Sequence, residues 1–402
     1  MKHRTTRRYR ALNALMGPTL RSRKDPAGAW AKAVAKAEQT VGLEVTDADR
    51  SWVEDYGFLL ECVAEVPQLS AIGWQAILGE ATARMANRLR IRDFHQRYPA
   101  IRDEKITAPI FVIGLPRTAT TLAHYLLAEA EGCRGPRAWE LTHTDLDPDE
   151  ETVARRVDQA RKQYSVTQWA PEVDIVHPID VTRPEESLML LPQGLYRCLT
   201  YAPMARYRDW FEARDATPDY EYLKSGLQIL QHRREPKRWV LKYPLDVAQM
   251  PVIRKVFPDA TFVWTHRDPV TVMGSLCSLS DLLQSLYLKR TDRDLIGDFN
   301  LDMMVDAINA GRDFRQRRPE LVIDVPYHRL VANPTRYLPE LHDKLGLAWT
   351  EKDEERLVAG LERSSRVRDR KHEYHLGAFG LDPSRVSRAF GEYQRWTSAI
   401  NS

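Results

Sequence analysis

The chain is poor in the features that mark several protein classes. Only four cysteines occur in 402 residues, Cys62, Cys133, Cys198 and Cys277, and no two form a Cys-x-x-Cys pair. That spacing indicates neither a structural zinc site nor a disulfide framework, and a reducing cytoplasm is its natural setting. No apolar run approaches the roughly 18–20 residues needed to span a bilayer. The basic start, Met1 to Arg10, lacks the apolar core and cleavage site of a secretory signal. Net charge is only +3 and is spread along the chain, too mild to argue for nucleic acid. There is no internal repeat and no low-complexity linker.

What is present describes a globular protein able to bury a sizeable core, with 43% hydrophobic and 29% charged residues. Residues 27–100 read as helical for most of their length. Ala29 to Ala37 is Ala-rich, Thr46 to Asp49 offers a cap, and Trp52, Tyr56, Leu59, Leu60 and Val63 share one face. Residues 1–105 are therefore expected to form a helical N-terminal extension that covers the sheet end or walls a pocket, and residues 106–402 an α/β domain. Arg4, Arg7, Arg8, Arg10, Arg21, Arg23 and Lys24 admit contact with anionic lipid or an acidic partner. A solvated tail is the stronger reading of such a run.

The most informative stretch is Ala108 to Leu122. Ile110 to Ile113 is a continuous β-branched and aromatic run, the pattern of a strand buried on both faces of a parallel sheet. Gly114 to Thr121 is a turn of small and hydroxyl residues, and Leu122, Leu126 and Leu127 recur at helical spacing. Strand, turn and helix together aim backbone N–H groups and a positive helix end at one point, which makes an anion site. Against the triphosphate loop Gly-x-x-x-x-Gly-Lys-Ser/Thr, Gly114 fits, but Ala119 stands at the second glycine, Thr120 at the lysine and Thr121 at the hydroxyl. The lysine that reaches the β and γ phosphates is missing, while Arg117 lies inside the loop. Triphosphate hydrolysis is disfavoured, and a nucleotide with a shorter, differently charged 5′ end is not.

The run from Pro109 to Leu122 resembles the 5′-phosphosulfate loop of sulfotransferases that use 3′-phosphoadenosine 5′-phosphosulfate (PAPS), in the bacterial-type branch that reads Pro-Arg-Thr-Gly-Thr-Thr. Ala119 replaces that branch's usual glycine. The resemblance continues in Pro136-Arg137-Ala138-Trp139-Glu140-Leu141. It extends to His177-Pro178 followed by Pro184-Glu185-Glu186, where a helix is expected from Pro184. A His or Glu here is suited to take the proton of an acceptor hydroxyl. First-turn acidic residues complementing a helix dipole are the bland reading. Glu185 or Glu186 is the favoured base, with His177 as rival or partner.

A second block, Arg238 to Ser280, reads strand–helix–strand. Trp239 to Lys242 is a strand, Val247 to Phe257 a helix, Ala260 to Thr265 a strand, and Val270 to Ser280 a helix. Charged residues at strand ends are what an open parallel sheet offers a ligand. His266-Arg267-Asp268-Pro269, with Ser275 eight residues after Arg267, is similar to the family's 3′-phosphate site. A guanidinium fork plus a hydroxyl suits that dianion. Lys242 falls where the family places a cation near the transferred group, and Tyr243 replaces the serine that usually follows. An Arg267–Asp268 strand-end ion pair is the plain alternative.

Further on, Leu321 to Val325 reads as a strand and Tyr337 to Leu345 as a helix stopped by Gly346. In Arg366 to His372 the resemblance assigns Arg370 and Lys371 to the 3′-phosphate. A helix closes the chain between Tyr374 and Trp396.

Covering roughly residues 106–385, the resemblance implies a P-loop-like central parallel sheet flanked by helices. It implies sulfuryl transfer from PAPS to a hydroxyl on a small acceptor, with 3′,5′-ADP released. The loop Gly114, Leu115, Pro116, Arg117, Thr118, Ala119, Thr120 and Thr121 would hold the 5′-phosphosulfate. Arg117 and Lys242 would face the charge that builds on the bridging oxygen. Arg267, Ser275, Arg370 and Lys371 would hold the 3′-phosphate. No metal is expected, because the leaving group is already a stabilised phosphate. Tyr196, Tyr201, Met204, Tyr207, Trp210 and Phe211 suit a lipophilic or aromatic acceptor, and ordinary core equally. The competing readings are a P-loop kinase and a non-catalytic nucleotide-binding or membrane-associated scaffold. Oligomeric state and strand order are not encoded in these motifs.

Overall fold

The computed structural model describes residues 4–165, 169–173, 179–358 and 375–401. At its centre lies a parallel sheet of five strands: β1 (Ile110–Gly114), β2 (Cys133–Arg134), β3 (Arg238–Lys242), β4 (Thr261–His266) and β5 (Val322–Pro326). Their spatial order is β2-β3-β1-β4-β5. Strand β1 is the middle one, with Phe111 opposite Leu241 on one side and Phe262 on the other. Every residue of β1 is buried. The alternation of strand side chains explains why the run carries no polar break. Phe111, Ile113, Trp239, Leu241, Phe262 and Trp264 point into one hydrophobic cluster, and Ile110, Val112, Val240 and Val263 into another on the opposite face.

Helices cover both faces. The N-terminal part supplies α1 (Arg7–Leu15), α2 (Pro26–Val41), α3 (Arg50–Glu65) and α4 (Ala71–Arg97). Trp74, Ile77, Met85 and Leu89 of α4 belong to the same cluster as the sheet residues Phe111 and Trp264. Helix α5 (Thr120–Ala128) follows the loop after β1, α6 (Pro269–Gln284) follows β4, and α7 (Arg293–Arg317) packs behind. Asp268 starts α6 by accepting from the Thr271 amide at 2.9 Å, with Pro269 in the first turn.

Several sequence expectations shift in detail. No helix starts at Pro184. That residue pairs with Arg137 in an isolated antiparallel bridge, the Glu185 amide donates to Pro136 O at 2.9 Å, and only a 3₁₀ turn, Ser187–Met189, follows. The backbone groups that a helix would use are taken by this bridge. The helix expected over Val247 to Phe257 is split into a 3₁₀ turn, Pro244–Ala248, and a short helix, Met250–Val256. The closing helix is three pieces, Leu376–Phe379, Pro383–Phe390 and Glu392–Asn401, separated at Gly380 and Gly391, which adopt φ of 64° and 48°. The edge strand β2 was not anticipated.

Candidate active site

The loop between β1 and α5 is built by unusual backbone. Gly114 has φ 137°, and a Cβ there would lie 2.6 Å from the Thr265 carbonyl oxygen of β4, so only glycine lets the central strands end this close together. Arg117 and Ala119 both sit in the left-handed region, with φ of 71° and 67°. Left-handed non-glycine residues in one short loop curve the chain so that successive N–H groups converge. Helix α5 has no side-chain cap on its Ala119 N-cap. Its first N–H groups and positive dipole end therefore suit an anionic ligand.

Side chains lock the loop rather than line it. Thr118 is fully buried, donates to Leu115 O at 2.7 Å and meets Thr265 Oγ1 at 2.6 Å. Thr120 is buried at the helix start, Leu115 belongs to the core, and Pro116 faces the cavity described below. Thr118 thus contributes to the site through its backbone.

Two strand ends flank the loop. On the β4 side, Arg267 donates Nη1 to the Arg117 carbonyl at 3.0 Å and stacks over the Tyr327 ring, 4.2 Å from its centroid. Arg117 in turn donates Nε to Ser275 Oγ at 3.1 Å. The structure therefore gathers Arg117, Arg267 and Ser275 at one place. Asp268 takes no part in a pair with Arg267, since its two oxygens accept from Thr271 and from Gln394.

On the β3 side, Lys242 is completely buried. Its ammonium is paired with Glu186, lies 3.9 Å from Glu185 Oε1 and donates to Thr121 Oγ1 at 3.3 Å. Lys242 thereby joins the start of α5 to both candidate bases. Glu185 also accepts from the Glu186 amide at 2.9 Å, which fixes the turn between them. Nearby, His124 is buried with Nε2 3.0 Å from the Val240 carbonyl; burial, helped by Lys242, pushes its pKa down to about 3, so it stays neutral. Tyr243 uses its hydroxyl to accept the Tyr196 amide at 3.0 Å. His177, Arg370 and Lys371 lie outside the described residues.

Glu185, Glu186 and Pro116 line a cavity of about 540 Å³. Leu276, Leu279, Ser280 and Leu283 of α6 line one wall at helical spacing, and Ala76, Gly79, Ala83 and Asn87 of α4 line another. From Ala76 to Asn87 the helix rises about 16 Å, so the cavity extends for about that length beside α4. Its walls are mostly apolar, interrupted by Glu80 and Arg84 of α4 and by Tyr196 and Tyr201. Arg84 donates to Glu80 at 2.8 Å and to the Tyr196 hydroxyl at 2.9 Å, while Tyr201 donates to Glu80 at 2.6 Å. The buried Arg197 completes the group through Tyr201 and Tyr56. Burial works to raise the Glu80 pKa, but Arg84, Arg197 and the Tyr201 hydrogen bond outweigh it and hold the carboxyl below its ordinary value. Sequence reading missed these α4 residues. A Glu–Arg pair four residues apart inside an otherwise apolar helix was the signal available.

Residues 109–351, more than half of the chain, match the family model described as the sulfotransferase family. The chain belongs to the sulfotransferase family. Among curated proteins this family member is 26% identical over 264 residues to the omega-hydroxy-beta-dihydromenaquinone-9 sulfotransferase Stf3 of Mycobacterium bovis, and equally to that of Mycobacterium tuberculosis. The match takes in 60% of this chain and 63% of those relatives' length. Among solved structures it resembles sulfotransferase STF9 from Mycobacterium avium, with a TM-score of 0.80, 28% identity, and 91% of this chain and 95% of that one covered. Sulfotransferase STF1 from Mycobacterium tuberculosis is similar too, with a TM-score of 0.78, 27% identity, and coverage of 90% and 98%. Both likenesses cover about nine tenths of this chain, well beyond residues 109–351.

Proposed function

We propose that the protein transfers a sulfuryl group from PAPS to a hydroxyl on an elongated, largely apolar acceptor and releases 3′,5′-ADP. The observation that carries this reading is the position of Lys242, which touches the helix start of an anion loop on one side and a carboxylate of an apolar cavity on the other. The donor supplies an activated sulfuryl group whose leaving phosphate needs no further activation. The residues present suit it: an uncapped helix start, a curved N–H loop, and the Arg117–Ser275–Arg267 cluster within reach of the same loop.

In this reading the amides of Leu115 to Thr121 hold the 5′ end, while Arg267 and Ser275 hold the 3′-phosphate, joined by Arg370 and Lys371. Glu186 accepts the proton of the acceptor hydroxyl, with Glu185 beside it and His177 as the other candidate. Lys242 is placed to stabilise negative charge at the reacting end, as Arg117 would be on turning from Ser275. The apolar walls exclude water and orient the hydroxyl toward Glu186. Stf3 is named for a hydroxylated dihydromenaquinone, an acceptor with the same polar-tip, apolar-body character.

The test is calorimetric binding of 3′,5′-ADP beside 5′-AMP and ATP. We expect 3′,5′-ADP to bind best and Arg267→Ala to weaken it by about 10- to 150-fold, the worth of hydrogen bonds to a charged group. Equal or tighter binding of ATP overturns the reading.

A further inference from the structure

The first 24 residues contain eight lysines and arginines and not one aspartate or glutamate. Helix α1 lies in this stretch. Tyr9 is its buried anchor, and the flank beside it carries Arg8, Ala11, Leu12 and Leu15 at spacings of three and four residues, all exposed. Leu12 is 39% exposed and Leu15 79%; they are two of only four large apolar side chains exposed among the described residues. Arg7, Arg21 and Lys24 are exposed beside them. Other cations of the segment are engaged with the protein: Arg4 pairs with Asp281 and Glu172, and Arg23 donates to Val66 O at 2.7 Å.

Helix α6 carries Ser275 beside Arg117 of the loop and runs on to Gln284, about 14 Å further. Leu286 just beyond it therefore marks the end of the cavity away from the loop, and α1 sits there. The Tyr9 hydroxyl donates to the carbonyl of Leu286, a cavity residue, and the Tyr9 ring lies 6.2 Å from Trp169. The Thr6 amide donates to Trp169 O at 3.0 Å, in the segment that carries the cavity residue Val173. Asn13 accepts from the Ile72 amide at 3.1 Å, at the start of α4. One small region thus combines exposed leucines, a run of exposed cations and the end of the apolar cavity away from the loop. A solvated tail has no use for the leucines.

We infer that α1 and the basic turn after it form a docking surface for an anionic lipid bilayer, which presents the far end of the cavity to the membrane so that an apolar acceptor enters from the lipid. No helix among the described residues is long and apolar enough to cross a bilayer, so the contact is interfacial. The inference rests on the apolar-acceptor reading above, but its test is separate from nucleotide binding.

The experiment is co-sedimentation of the full chain with phosphatidylcholine vesicles, with and without phosphatidylglycerol. The expected result is at least tenfold stronger partition onto the anionic vesicles, falling with added salt. Each surface cation contributes about fivefold, so Arg7→Gln with Arg8→Gln should lower partition by roughly 25-fold. Leu12→Gln with Leu15→Gln should also lower it, and Arg7→Lys with Arg8→Lys should retain it. These side chains are exposed, so circular dichroism and Tm serve to show that the variants remain folded. Equal partition onto neutral and anionic vesicles, or undiminished binding in the glutamine variants, overturns the inference. Intact 3′,5′-ADP binding alongside either result would leave the sulfotransfer reading standing.

Discussion

Replacing Lys242 with methionine is the most demanding test of the active-site geometry. The ammonium is fully buried, and the Glu186 side chain that it meets is only 13% exposed. Glu185 Oε1 lies 3.9 Å away; at an effective dielectric near 20, a pair at that distance attracts by about 4 kcal/mol. Much of that attraction offsets the loss of water around the charges. Methionine fills similar volume but leaves the carboxylates without their cation, an arrangement that typically costs about 3–5 kcal/mol. Urea unfolding followed by the fluorescence of the ten tryptophans should show this loss at neutral pH. Adding Glu186→Gln to Lys242→Met should recover part of it, with a coupling energy of about 1–3 kcal/mol in the double-mutant cycle. Turnover should fall by about 100-fold or more in the single variant, because the cation facing the developing charge is gone. A stability loss under about 1 kcal/mol together with a coupling energy near zero would refute the geometry.

Two further perturbations follow from the loop and its surroundings. Ala119→Gly relieves a left-handed alanine that costs about 1–2 kcal/mol, against the extra chain entropy of glycine. Chemical denaturation should show a net gain of about 0.5 kcal/mol, and a loss would mean that the loop does not adopt φ 67°. Asp246 is buried, accepts from the Tyr220 hydroxyl at 2.5 Å, and is pushed up to about 8 by burial first and the charge of Glu186 second. Between about pH 4 and 8 the folded protein keeps this proton while the unfolded chain has lost it. Stability therefore falls with rising pH through that window, by up to about 1.4 kcal/mol per unit. Asp246→Asn removes this dependence, so the variant should gain on the parent as pH rises from 5 to about 7.5. A pH-independent difference would contradict the protonated carboxyl.

Much of the fold was legible because a buried parallel strand leaves a plain signature. The runs at Ile110, Val240 and Val263 have no polar break, since both faces of the sheet are covered. Charged residues at their ends marked Lys242 and Arg267, and the structure does bring these to the loop. The rest depended on contacts distant in sequence. Nothing local shows that Pro184 pairs with Arg137 or that Thr118 meets Thr265 across 147 positions. Glu80 and Arg84 resemble an ordinary solvated pair until the helix is packed and their side is seen to face a cavity. Strand order is likewise a property of the assembled sheet.

That order has a consequence for how the chain is made. β1 is completed at Gly114, yet its two neighbours end at Lys242 and His266. At about 5–20 residues per second, a ribosome needs roughly 8–30 s to supply the second neighbour. Throughout that interval the most apolar strand of the protein has both hydrogen-bonding edges unpaired. Early exposure of this kind favours association with other nascent chains. Expression at low temperature or with abundant chaperone should therefore raise the soluble yield more than any change to the finished structure.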